Sequence, residues 1–126
     1  MRPRGPLDTP EDIDGAALET VVFQELRAIN QYGQHGYAMY FWRTASGHEV
    51  DFILYGPKGL IAIEVRRSDR VSDEMLGGLR TFLKEYPLAR AYLLTGGGRD
   101  RWEGKIRVLP VEIFLRNIDS MLAPVN

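Results

Sequence analysis

Residues 48–66 constrain this chain more than any other stretch. They read His-Glu-Val-Asp-Phe-Ile-Leu-Tyr, then Gly-Pro-Lys-Gly, then Leu-Ile-Ala-Ile-Glu-Val-Arg. Side chains alternate between the two faces of a strand. Val50, Phe52 and Leu54 should therefore share one face, and Glu49, Asp51 and Ile53 the other. Likewise Ile61, Ile63 and Val65 oppose Ala62, Glu64 and Arg66. Both segments are apolar on both sides, and the second is apolar enough to be central in a sheet. The Gly-Pro-Lys-Gly turn between them suits a hairpin. Asp51 and Glu64 are the anomaly. As antiparallel neighbours the two strands would let these carboxylates converge, and two unpaired buried carboxylates are costly. Oxygen ligands of this kind suit magnesium or manganese. The alternative is an ion pair with Arg43, Arg66 or Arg67.

The rest of the chain supplies the elements around this hairpin. Prolines at 3, 6 and 10 make residues 1–11 an extended arm or linker end, and leave 12–126 as a single domain. From 13 to 31 the spacing is helical, with Leu18, Val22, Leu26 and Ile29 on one side and Asp12 or Asp14 as the cap. Glu19 and Glu25 both lie within that apolar side, so periodicity does not choose between them. Gly15, one turn before Glu19, would permit a close approach there. The aromatic segment 37–43 reads as a strand. A helix over 72–86 follows the hairpin, capped by Ser72 and ended by Pro87. A strand over 89–95, a short strand over 105–109 and a final helix over 111–121 complete the order α-β-β-β-α-β-(β)-α. The fold expected is a mixed α/β sheet of four to five strands flanked by helices.

Composition narrows the chemistry. The chain has no cysteine, which excludes a disulfide framework, a zinc knuckle and thiol catalysis. No apolar run approaches the ~18–20 residues of a membrane span, and the start lacks a signal peptide's apolar stretch. A cytoplasmic protein with no membrane partner is the expectation. Gly96-Gly-Gly-Arg99 is not a phosphate-binding loop, because no Gly-x4-Gly-Lys-Ser/Thr occurs. The net charge of −1 hides a division: residues 1–54 hold 4 basic and 8 acidic residues, and 55–126 hold 12 and 9. Arg99, Arg101, Lys105 and Arg107, with Trp102 among them, either contact phosphates and a base or form a solvated loop. His35 and His48 show no metal-ligand spacing.

Gly15-x3-Glu19, Asp51 and Glu64-Val65-Arg66 resemble the PD-(D/E)XK nuclease superfamily, whose common core has the same α-β-β-β-α-β order. Nearly the whole chain is also similar to the nuclease-like C-terminal domain of unknown function carried by many prokaryotic AAA-type ATPases. Blocks that carry this include Arg2-Pro-Arg-Gly-Pro-Leu-Asp8, Gly15-Ala-Ala-Leu-Glu19, Tyr40-Phe-Trp-Arg-Thr44, Ser46-Gly-His-Glu-Val-Asp-Phe52 and Gly78-Leu-Arg80. The resemblance implies a restriction-endonuclease-like sheet and a magnesium-dependent site for DNA phosphodiester hydrolysis. Asp51, Glu64 and the Val65 carbonyl would hold the ion, and Glu19 would complete the acidic cluster. Arg66 stands where the superfamily motif has lysine. Arginine stays protonated at any working pH and cannot act as a base. Two readings follow: a nuclease-type domain serving an ATPase, active or disabled by Arg66, or a non-catalytic module of the same fold that binds DNA, a protein partner or a second copy of itself on behalf of an ATPase.

Overall fold

The structure is a computed structural model that describes the backbone of residues 10–124 and the side chains of 15–124. Helix α1 (Pro10–Tyr32) leads into strands β1 (Ala38–Arg43), β2 (Glu49–Gly56) and β3 (Gly59–Val65). Helix α2 (Asp73–Glu85) crosses to β4 (Arg90–Thr95), and then come β5 (Arg101–Glu103), β6 (Ile106–Pro110), α3 (Val111–Arg116) and α4 (Ile118–Leu122). The six strands form one open sheet in the order β1-β2-β3-β4-β6-β5. The first three are antiparallel, β3, β4 and β6 are parallel, and β5 returns antiparallel on β6.

Two apolar clusters cover the sheet. On one face Val22 and Leu26 of α1, Phe114, Ile118 and Leu122 pack on Leu54, Ile61, Ile63 and Leu94. On the other, Leu76, Leu79 and Phe82 of α2 pack on Val50, Ile53, Ala62 and Leu93. Strand β3 is central, and residues Ile61 to Val65 are all buried. At the opposite end of the sheet from the β3 C-terminus, Tyr37 ties the layers together. Its hydroxyl donates to the Leu122 carbonyl at 2.7 Å and accepts from Arg90 at 3.2 Å. Buried His35 bridges the β2–β3 turn to α4, through Lys58 at 2.9 Å and Asp119 at 2.7 Å. It packs the fold, and His48 is exposed.

Five sequence expectations are corrected here. The expected arm over 1–11 falls mostly on residues 1–9, outside the described residues; Pro10 and Glu11 already belong to α1, since a first helical turn tolerates proline. Asp12 and Asp14 therefore lie inside the helix. The sheet has six strands, and the expected strand over 105–109 is the sixth, preceded by the short β5. The final helix is broken at Asn117, whose backbone (φ −118°, ψ 19°) departs from helical geometry, giving α3 and α4. Ser72 stands at the N-terminus of α2 in an extended conformation, but its side chain makes no capping bond.

The aromatic run of β1 divides. Tyr37 is buried before the strand, and Trp42 meets Phe82 edge-on at 5.3 Å. Tyr40 and Phe41 are exposed on the sheet's edge strand. Gly15 needs no close approach: a Cβ built there meets nothing within 4 Å among the described residues.

Candidate functional site

The hairpin places the two acids where its ladder stops. Paired residues run from Gly56–Gly59 to Phe52–Ile63. The next step would set Asp51 against Glu64, and there the side chains take over the hydrogen bonding. Asp51 Oδ2 accepts the Val65 N–H at 2.9 Å, and Glu64 Oε1 accepts the Asp51 N–H at 3.0 Å. Each carboxylate thus satisfies the backbone of the opposite strand.

An irregularity in β2 positions Asp51. Between the β1 pairs Tyr40–Ile53 and Trp42–Val50, β1 has one intervening residue and β2 has two, Asp51 and Phe52. The extra residue bulges the strand and re-aims its side chains. Strict alternation had put Val50 with Phe52 and Leu54. It packs instead with Ile53 in the cluster beneath α2, while Phe52 and Leu54 face α1.

Arg66 closes the site from the α2 side. Its Nε and Nη2 reach Glu64 Oε2 at 3.0 and 2.9 Å, and its outer nitrogens reach Glu74 on α2 at 3.4 and 3.5 Å. The fork spans Glu64 and Glu74, rather than Glu64 and Asp51. Glu74 is a site residue that sequence reasoning missed. Its position in the first turn of α2, eight residues after Arg66, was the available signal.

The electrostatics are those of an over-acidic pocket. Glu64 is only 5% exposed. Burial, then the Asp51 charge, pushes its carboxyl up to about 8 against the pull of Arg66. Burial, then the Glu19 charge, pushes Asp51 up to about 6. The Glu19 charge thus acts on Asp51, and Glu25 is exposed on α1.

Arg66 thus faces Glu64 and Glu74 directly, with the Asp51 charge also acting on it. All the side-chain donors of negative charge are hard oxygens, which suits a small divalent cation. Among the described residues, no three acids or imidazoles already surround one point. Magnesium needs no such cage, because it binds through one or two carboxylates and keeps several waters. Asp51 and Glu64 fit that role.

Arg101 and Arg107 pair elsewhere. Arg101 pairs with Glu103 at 3.5 Å on β5, and Arg107 pairs with Asp100 at 2.6 Å. No described helix is long and apolar enough to cross a membrane. A family described as a domain of unknown function (DUF4143) matches residues 14–114. No curated protein and no solved structure matches the chain.

Proposed function

The chain belongs to the DUF4143 family of domains of unknown function, and on that premise we propose that it is a nuclease-fold module whose Asp51–Glu64 pair takes a magnesium ion for phosphodiester hydrolysis in DNA. The observation that carries this reading is the buried pair itself. Two carboxyl groups are cross-bonded to each other's strands, and their mutual repulsion and burial, with the Glu19 charge acting on Asp51, resist full ionisation unless a cation joins them. The antiparallel β1-β2-β3 meander followed by α2 and a parallel β4 supports a restriction-endonuclease-like core.

In this reading Asp51 and Glu64 hold the ion, with the Val65 carbonyl as a further ligand and Glu19 acting directly or through water. Bound magnesium supplies charge stabilisation at the phosphate and a more acidic water. Arg66 contributes a fixed positive charge beside Glu64 and orients that carboxylate. It takes no proton from water, because a guanidinium stays charged. The resemblance to domains carried by AAA-type ATPases puts the module beside an ATPase in the same or another chain, because these 126 residues hold no phosphate-binding loop of their own.

Calorimetry with magnesium or manganese tests the site. Wild type should bind with heat, Asp51→Asn should not, and plasmid or branched-DNA cleavage should vanish in Glu64→Ala. No binding by wild type would sink the metal reading.

One observation favours a non-catalytic module of the same fold. Arg66 occupies Glu64 Oε2 with two nitrogens and is pinned again by Glu74. Arg66→Lys separates the readings. Lysine offers one point charge where arginine offers a fork, so cleavage gained only in Arg66→Lys marks a nuclease disabled at this position. Metal binding without cleavage in either protein leaves the binding module.

A further inference from the structure

A groove lies at the other end of the sheet, along β4, β5 and β6. Tyr92 on β4 stands opposite Arg107 on β6, and Arg107 stands opposite Trp102 on β5. Residues directly opposite each other share a sheet face. The row is therefore aromatic, cation, aromatic across three strands. Tyr92 belongs to the cluster beneath α1 and α3, which fixes the face. Arg90, two residues before Tyr92, points the same way and reaches Tyr37 and the Met121 carbonyl of α4. Lys105 stands exposed in the β5–β6 turn.

These five residues, with Ala89 and Ala91, line a groove of ≈ 330 Å³. That is within the usual range for small-ligand sites, roughly 300–1,000 Å³. Its three cations are countered by Asp100, which bonds Arg107 at 2.6 and 2.9 Å. Arg101 and Glu103 fall on the opposite face, by alternation about Trp102. The groove keeps an excess of positive charge beside an indole that is 64% exposed.

The geometry points to this groove as a binding site for a nucleotide unit, its base stacked on Trp102 and its phosphate met by Lys105, Arg90 and Arg107. Stacking on an exposed aromatic with basic residues alongside is how single-stranded nucleic acid is held without sequence readout. A protein partner rich in acids would use the cations but would leave the indole bare. The site is independent of the acid pair: Arg90 pairs with Ile61 at the start of β3, whereas Glu64 lies near its end. The source of the nucleotide is either a single strand or a free nucleotide.

Calorimetry in EDTA tests this with three probes: a short oligothymidylate, ATP and a polyglutamate peptide. Binding of the oligonucleotide or of ATP is expected, and the one that binds names the source. Trp102→Ala should weaken it by about ten-fold or more, while Trp102→Phe, which still stacks, keeps most of it. Lys105→Ala should weaken it several-fold and flatten its salt dependence. Glu64→Gln should leave it unchanged, so a failure of the metal reading does not touch this one. Equal binding of polyglutamate, the same affinity in Trp102→Ala, or no binding of any probe up to millimolar concentration overturns the proposal.

Discussion

Without divalent ions the wild-type domain should lose stability relative to Glu64→Gln as pH rises from about 5 to about 9, by on the order of 3 kcal/mol. Both acids are held above their ordinary values, Asp51 at about 6 and Glu64 at about 8. The folded state therefore keeps protons that the unfolded chain has already released. That contribution is complete below about pH 4 and is lost as pH climbs through the two folded values. Glutamine at 64 does not ionise, so the variant lacks the larger part of this loss. The two melting curves should nearly coincide at pH 5 and separate by roughly 10 °C at pH 9, the variant being the more stable. Magnesium should close the gap at pH 9 by raising the wild type alone, because an ion replaces the lost protons. Parallel melting temperatures for the two proteins across the range would show that the carboxylates are compensated some other way.

Much of this site was legible because it breaks a pattern. Charged residues inside otherwise apolar strands stand out, and the four-residue turn fixed which strands were neighbours. What alternation could not show was the bulge at Asp51 and Phe52. A period of two assumes one residue per step, and the extra residue moved Val50 to the other face. Side chains replacing ladder bonds were invisible for the same reason. The choice of Glu19 over Glu25 needed the rotation of α1 about its axis, which tertiary packing sets.

The second site was half legible. Trp102, Lys105 and Arg107 drew notice as a basic run with an aromatic, but their partition between two faces needs β5, and Arg101-Trp102-Glu103 has no strand-like apolar pattern. The missed signal was the turn. Gly104-Lys105 is a two-residue loop with positive φ at the glycine (61°), the kind that closes a hairpin. Reading it would have paired Glu103 with Ile106 and set Trp102 opposite Arg107. Arg90 comes from a distant strand and carried no local signal.

Alanine at Gly96 or Gly78 should cost roughly 3 kcal/mol or more, or abolish soluble expression. A Cβ at Gly96 would lie 1.8 Å from the Arg67 carbonyl oxygen, and one at Gly78 would lie 2.0 Å from that of Glu49. Neither obstacle is a side-chain end that can swing aside; each is backbone. Gly78 lets α2 rest on the start of β2, two residues before Asp51. Gly96 lets the end of β4 rest on the segment after β3, one residue beyond Arg66, where its N–H also bonds the Ser68 carbonyl at 3.1 Å. The two glycines thus clamp the sheet end that carries the acid pair. Relieving either clash moves the backbone that positions Asp51 or Arg66, so any folded fraction should also lose magnesium binding. Gly15→Ala is the control. Its Cβ meets no described atom, and alanine is the better helix former, so stability should rise by about 0.5–1 kcal/mol. Chemical denaturation of the three variants decides the matter. A Gly96→Ala protein as stable as wild type would mean that the close packing of β4 against the Arg67 segment does not hold the site.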